Sequence, residues 1–296
     1  MHTMGIDIFC QVLDNFGDIG ICWRLAKQLR QRTSGPIRLW VDELERFKQI
    51  EPDVSLGVTW QQLNNITIIQ WQETLPLLKP HALVIEAFGC QLPAPFIRQM
   101  AKQNSLWINL EYFSAETWAL QWHGLPSLQP GGANKYVFFP GLSSKSGGLL
   151  REPDLQKKRL LWQNNLSEQQ NFLKQLTVAP KLRHLIANGA LQVFLFCYNP
   201  APITGLINAL ATREEPAVVL IPRVLYDTLS NLLKQANADQ VYLAPIPFIT
   251  QDDFDKLLWS SHLNIVRGED SFARALWATK TFIWHIYPQD NDAHLV

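Results

Sequence analysis

Two groups of residues in this chain have types and spacing that could do chemistry. The first is Arg267-Gly268-Glu269-Asp270-Ser271, which follows an apolar run of Leu263, Ile265 and Val266. Beyond it Phe272, Ala275, Leu276 and Thr279 recur at helical spacing, and Phe282-Ile283-Trp284 reads as a further strand. The pattern predicts a strand, a turn, a helix and a strand. A helix N-terminus presents unpaired N–H groups and a partial positive charge, which favours phosphate. Arg267 adds a permanent charge that can grip phosphate through two bonds. Together these residues describe a seat for a diphosphate. The same types also serve as helix caps and surface ion pairs, and spacing alone does not separate the two readings.

The second group is Asp14 and Asp18, which flank the turn Asp14-Asn15-Phe16-Gly17-Asp18 after the first apolar run. Capping the following helix accounts for one of them. Two acids in one turn at the top of a sheet form a repelling pair that could share a proton or straddle a cation. Other acidic groups carry less. Asp253-Phe254-Asp255 is formally D-x-D, but it opens an amphipathic stretch with Leu257 and Leu258, so capping accounts for both acids. Asp290-Asn291-Asp292 reads as a polar turn, and the seven histidines show no H-E-x-x-H or H-x-x-E-H grouping. No metal is expected.

The elements that must position these residues alternate. Strands are expected at Ile6–Leu13, Ile37–Val41, Ile66–Trp71, Ala82–Phe88 and Leu106–Leu110, with a helix around Pro95–Gln103. A helix after the first turn has Ile21, Cys22, Leu25, Ala26 and Leu29 on its apolar face, and Arg24, Lys27, Gln28 and Gln31 on the other. The stretch Gln129–Gly148 breaks the rhythm with Gly131, Gly132, Gly141, Gly147 and Gly148. Its order does not fit a nucleoside-triphosphate phosphate loop, and it reads as a mobile loop between two halves. Arg151–Pro180 is charged, glutamine-rich and helical in pattern. A second alternating run follows, with strands at Leu191–Tyr198, Ala217–Ile221, Gln240–Ala244, His262–Val266 and Thr281–Ile286. Helices between them cover Ile203–Ala211, Arg223–Ala236, Asp252–Ser260 and Ser271–Trp277. Such alternation predicts two successive α/β doubly wound parallel sheets, in which ligands bind beyond the carboxyl ends of the strands.

Composition narrows the class. At 296 residues the chain can hold two domains with separate cores. Its 26 basic and 26 acidic residues cancel, so nothing points to nucleic acid or an anionic membrane surface. Cys10, Cys22, Cys90 and Cys197 form no C-x-x-C pair, which excludes a zinc ribbon and fits a reducing cytoplasm. The N-terminus carries no signal-peptide pattern, and no apolar run approaches the roughly 20 residues that span a bilayer. A soluble cytoplasmic protein is expected. Among eleven tryptophans, Trp107, Trp118, Trp122, Trp277 and Trp284 stand near the blocks quoted below, and most are expected in the core.

Several long blocks carry a resemblance: DNFGDIGICWRLA, INLEYFSAE at Ile108–Glu116, PGGANKYVFFPGLSSKSGGLLRE at Pro130–Glu152, PFITQDDFDKLLW at Pro247–Trp259, and RGEDSF followed by WHIYPQ. Together they resemble the protein-arginine rhamnosyltransferases that modify translation elongation factor P, the EarP family, from about Ile8 to the last residue. The resemblance implies a GT-B fold, with two Rossmann-like doubly wound domains facing a cleft. It implies an acceptor-side domain over 1–150, a linker or helical segment over 151–180, and a nucleotide-sugar domain over 181–296. Family members continue for a helical segment past the point matched by Val296, so the closing segment is expected to be missing. The implied activity is inverting, metal-independent transfer of L-rhamnose from dTDP-rhamnose to an arginine of elongation factor P. No cofactor is implied, because dTDP-rhamnose is a substrate.

The resemblance also assigns roles. A guanidinium is protonated at neutral pH and is a poor nucleophile, so a carboxylate must orient it and accept a proton. By resemblance Asp18 is that base and Asp14 supports the acceptor guanidinium. Glu269 and Asp270 would face sugar or ribose hydroxyls while backbone N–H groups face the phosphates. Arg267 and Ser271 would stabilise the departing diphosphate, with Tyr287 nearby. Phe196 and Tyr198 in FLFCYNP, with Phe248 and Gln251 in PFITQ, resemble the family's base pocket, whereas without it they read as core aromatics at strand ends. Glu111 follows a strand and could touch acceptor or sugar. Two rivals frame this reading. A nicotinamide oxidoreductase needs three glycines after a strand, and Asn15–Gly20 holds two. A truncated, non-catalytic protein that binds a dTDP-sugar or the elongation factor is the other.

Overall fold

The computed structural model describes residues 3–13, 16–71, 78–129, 133–198 and 203–286. The chain divides into two compact units, Met1–Glu152 and Pro153–Val296.

In chain order the first unit runs β1 (Ile6–Cys10), α1 (Gly17–Arg32), β2 (Ile37–Val41), α2 (Leu44–Ile50), β3 (Trp60–Leu63), β4 (Ile66–Gln70), β5 (Leu83–Ala87), α3 (Ala94–Gln103), β6 (Leu106–Leu110), α4 (Thr117–Trp122), β7 (Pro126–Leu128) and β8 (Asn134–Phe138). Its eight strands lie in the order β3-β4-β2-β1-β5-β6-β8-β7. All neighbours are parallel except the two outer pairs, β3–β4 and β7–β8. The central strands are buried on both faces, as a parallel sheet covered by helices requires. Alternate residues of β1 therefore feed two cores: Ile6, Ile8 and Cys10 pack with Ile19, Cys22, Trp23 and Ala26 of α1, while Phe9 packs with Trp40, Phe96 and Trp107. Asp7, on the Phe9 side, is fully buried. It accepts hydrogen bonds from Arg38 Nε at 2.6 Å, Trp40 Nε1 at 2.9 Å and the His81 amide at 2.8 Å.

The second unit runs α5 (Leu155–Gln163), α6 (Leu166–Gln175), α7 (Pro180–Ala187), β9 (Leu191–Leu195), α8 (Ile203–Ala211), β10 (Ala217–Pro222), α9 (Tyr226–Gln235), β11 (Val241–Ile246), α10 (Gln251–Ser260), β12 (Leu263–Arg267), α11 (Glu269–Ala278) and β13 (Thr281–His285). The five strands are parallel in the order β11-β10-β9-β12-β13. Phe194, Val218 and Leu220 face α5, α6, α10 and α11, and Val193, Val219 and Ile221 face α8 and α9. The 151–180 segment is helical, and Leu155, Trp162, Phe172 and Leu173 make it part of this unit's core.

Several expectations change. Gln129–Gly148 is not a mobile loop throughout: it contains β8, which pairs in parallel with β6, and then a bonded turn. The Ser146 amide donates to the Ser143 carbonyl at 3.1 Å and the Gly147 amide to the Phe139 carbonyl at 2.9 Å. Gly147 lies against the Phe138 ring, where a Cβ would overlap the side chain. Arg24, expected on the polar face of α1, is 3% exposed and pairs with Glu152 at 3.3 Å. Trp107 is buried, but Trp118 and Trp122 are half exposed, at 50% and 56%. The four cysteines are buried free thiols. Among the described residues no helix is long and apolar enough to cross a membrane.

Candidate functional site

In the first unit the candidate chemistry is held at the carboxyl ends of β1, β5 and β6. Asp18 sits in the first turn of α1, whose N-cap is Phe16 without a side-chain cap bond, so Asp18 does not have the capping role that one Asp of this turn was expected to fill. Its carboxylate reaches back across the turn. Oδ2 accepts from the Leu13 amide at 2.8 Å, and Oδ1 accepts from the Tyr112 hydroxyl at 2.8 Å. The residue is fully buried. Asp14 lies outside the described residues.

Glu111 directly follows β6 and is half-buried. The Asn109 side-chain amide donates to Glu111 Oε1, and the Glu111 amide donates to the Phe138 carbonyl at 2.9 Å. Burial raises this carboxyl above its ordinary range, while Asn109 and then Lys135 favour its charge. Behind it Glu86, 2% exposed, accepts from Trp107 Nε1 at 3.0 Å, from Lys135 Nζ at 3.2 Å and from the Gln91 amide at 3.1 Å. Lys135 is thereby tied to Glu86 rather than to Glu111.

In the second unit Arg267 ends β12 and Gly268 is the N-cap of α11, with φ 65° and ψ 167°. That backbone is open to glycine and strained for other residues. It lets the chain turn directly from strand to helix, so Glu269, Asp270 and Ser271 all fall in the first helical turn. Gly268 provides no side-chain cap, leaving this helix end with the anion preference expected from sequence.

The surroundings of Arg267 were not legible beforehand. Its guanidinium carbon lies 4.6 Å from the Phe196 ring centroid and 4.8 Å from that of Tyr198, and Nη1 donates to the Cys197 carbonyl at 3.5 Å. Two aromatics expected around a base thus carry the arginine through cation–π contact. His285 stands opposite Arg267 in the β12–β13 register. Its Nδ1 accepts from the Tyr198 amide at 3.1 Å, and its ring meets that of Tyr198 edge-on at 5.6 Å. Burial, then the Arg267 charge, lowers the imidazole below its ordinary range, so the neutral acceptor form is favoured. His285 was overlooked because a lone histidine at a strand end carries no spacing signal.

Phe248 is 55% exposed between β11 and α10, and Gln251 opens α10 behind the N-cap Thr250, whose hydroxyl accepts from the Asp253 amide at 3.3 Å. Tyr287 lies outside the described residues. The D-x-D acids separate in role. Asp253 pairs with Lys256 at 2.8 Å on the surface, whereas Asp255 is 4% exposed and holds Arg274 of α11 at 2.8 and 2.5 Å. The capping expected of Asp255 is corrected: it is a buried ion-pair partner that clamps α10 to α11. Among the described residues no group of three or more His, Cys, Asp or Glu could hold a metal ion.

Comparison with known proteins agrees with these features. The family described as Elongation-Factor P (EF-P) rhamnosyltransferase EarP matches residues 6–296. A protein-arginine rhamnosyltransferase of Pseudomonas putida is 42% identical over 300 residues, covering 97% of this chain and 78% of the relative. A solved structure described as the structural basis for EarP-mediated arginine glycosylation of translation elongation factor EF-P superposes with a TM-score of 0.60 at 30% identity, covering 99% of this chain and 76% of that one. A UDP-glucosyltransferase from Polygonum tinctorium shares the fold at 10% identity, with a TM-score of 0.52 over 96% of this chain and 80% of that one. The chain belongs to the EarP family of elongation factor P rhamnosyltransferases, enzymes built on the GT-B fold.

Proposed function

We propose that this chain transfers L-rhamnose from dTDP-rhamnose to an arginine side chain of translation elongation factor P, with inversion and without a metal. The observation that carries the reading is the match to protein-arginine rhamnosyltransferases, which runs over residues 6–296 and so through both units. In the proposed step a guanidinium nitrogen of the acceptor attacks the anomeric carbon of rhamnose. The new C–N bond forms as the bond from that carbon to the diphosphate oxygen breaks, and the electron pair leaves with dTDP. Asp18 accepts the proton released from the nitrogen, with Asp14 supporting the acceptor cation. One displacement needs no covalent enzyme intermediate.

The donor end is read from the second unit. The N-terminus of α11, Arg267 and Ser271 take the charge developing on the diphosphate, with Tyr287 beside them. Phe196 and Tyr198 support this indirectly, since both hold the Arg267 guanidinium. Phe248, exposed and near Gln251, is then the aromatic best suited to stack on thymine, with the Gln251 amide on the base edge. Glu269 and Asp270 take sugar or ribose hydroxyls, and Glu111 contacts the acceptor or the sugar. A cytoplasmic setting belongs to the same proposal and is supported by the four buried free thiols.

Intact-mass measurement of elongation factor P incubated with the chain and dTDP-rhamnose tests this. The expected result is one added rhamnose, unaffected by chelator, and lost by about 10²–10⁴-fold in turnover in Asp18→Asn, which can still hydrogen-bond but cannot take the proton. Binding of dTDP without any transfer would replace the enzyme by a binding protein. Loss of transfer with EDTA and its return with magnesium would refute the metal-free route.

A further inference from the structure

The carboxylate of Asp18 is held from two directions by donors on separate elements. The Leu13 amide, after β1, fixes Oδ2 at 2.8 Å, and the Tyr112 hydroxyl, after β6, fixes Oδ1 at 2.8 Å. Two such bonds define both the position and the plane of the carboxyl group. Tyr112 is itself unusually well held. Its ring stacks on Phe88 with centroids 4.2 Å apart and planes 15° apart. Phe88 has φ 57°, left-handed backbone that is uncommon for a residue with a side chain and a true outlier for a bulky one. Gln91, in the same β5–α3 turn, has φ 54°. The Phe88 amide donates to the Leu110 carbonyl at 2.7 Å, which ties the turn to the end of β6 next to Tyr112. Strained backbone of this kind persists only where its surroundings over-determine it, and it concentrates at functional sites.

We infer that Tyr112 is a positioning residue for Asp18, and that the left-handed Phe88 turn exists to set the depth of the Tyr112 ring. The inference rests on the reading of Asp18 as the base. A base must be held within about 0.5 Å and 10–20° of its working geometry, so an acid at the start of a helix needs an outside partner. A phenol serves where a lysine or arginine would not: it orients the carboxylate through one neutral donor and adds no cation to repel the acceptor guanidinium. The sequence block INLEYFSAE contains Tyr112, but only the fold brings it to a residue 94 positions earlier.

Tyr112→Phe in the full chain removes the hydroxyl and keeps the ring on Phe88. With saturating dTDP-rhamnose, kcat is expected to fall about 10–100-fold, the size of effect that misplacing a reacting group produces, while KM for elongation factor P changes little. In an Asp18→Asn background the same substitution should cause no further loss, because Tyr112 acts through that carboxylate. Unchanged kcat in Tyr112→Phe, with Asp18→Asn still impaired, overturns the inference and leaves the base reading standing. An equal further loss on top of Asp18→Asn also overturns it, since Tyr112 would then act independently. Normal turnover in Asp18→Asn removes the base reading, and the inference with it. If Tyr112→Phe does not fold, Phe88→Leu, which loses the stack but keeps the apolar contact, should show the same fall in kcat at constant KM, and normal kcat there overturns the inference.

Discussion

Replacing Asp255 by Asn gives the sharpest test of how the second unit is held together. Asp255 and Arg274 are 4% and 2% exposed, and their two bonds, at 2.8 and 2.5 Å, join α10 to α11. Taking both charges from water is costly, and the matched fork offsets that cost only while both partners are present. Asp255→Asn keeps the shape and leaves the Arg274 charge buried, so the expected loss is ~3–5 kcal/mol, the range for breaking a buried pair from one side. At a few degrees per kcal/mol this lowers the melting temperature by roughly 10 °C. Asp253, in the same D-x-D, provides the contrast. Its pair with Lys256 has side chains about one-third exposed, so Asp253→Ala should cost only ~0–1 kcal/mol. Replacing both buried partners with leucine should recover much of the loss, because no charge is then held out of water. Urea unfolding followed by tryptophan fluorescence reads all three, with Trp259 on α10 and Trp277 on α11 as local reporters. The reasoning fails if Asp255→Asn stays within about 1 kcal/mol of the parent, as a surface pair would. It also fails if magnesium selectively stabilises the parent, since Asp255 would then be a metal ligand.

Four further outcomes are expected. Phe248→Ala should weaken dTDP binding by about 1–3 kcal/mol in calorimetry, the range for base–aromatic stacking, and unchanged affinity in a folded variant removes Phe248 from the site. Arg267→Lys keeps the charge but loses the planar fork held over Phe196 and Tyr198, so turnover should drop with the fold intact, and normal turnover would exclude a bidentate role. Gly268→Ala should destabilise by about 1–3 kcal/mol through backbone strain alone, since its φ of 65° and ψ of 167° are open essentially only to glycine. Its Cβ would meet the Tyr198 hydroxyl at an ordinary 3.4 Å, so thermal melting should show strain without a steric collapse. Glu111→Gln should stabilise the protein at neutral pH. The Glu111 carboxyl is raised from an ordinary 4.5 by burial, so the native state binds its proton more tightly than the unfolded chain, and wild-type stability is lost as pH rises through the native value. The gain in Glu111→Gln should shrink as pH falls towards 4.5, and a gain independent of pH would refute this assignment.

The alternation of strands and helices, and with it two doubly wound sheets, is written in local pattern, because a strand buried on both faces reads as a continuous apolar run. The strands Ile37–Val41 and Leu106–Leu110 were legible to the residue for that reason, and the helix Ile203–Ala211 from its place between two such runs. So was the turn at Arg267-Gly268, where strand, glycine and acidic helix start are contiguous. β3, β7 and β8 were not legible: β3 and β7 are short edge strands and β8 lies next to the edge, so they bury little, and each is held by its neighbour, β4, β8 and β6 respectively, rather than by its own composition. Burial of charge was equally hidden. Arg24 and Asp255 sit at positions that read as solvent-facing, whereas in the fold they are buried against Glu152 and Arg274, which no local pattern points to. The same holds at the site. Asp18, Arg267 and Phe196 could be named from local sequence, but Tyr112 on Asp18, and Phe196, Tyr198 and His285 around Arg267, are contacts between separate elements. Local spacing encodes which face a residue takes, whereas the partner it meets there is set by sheet order and register.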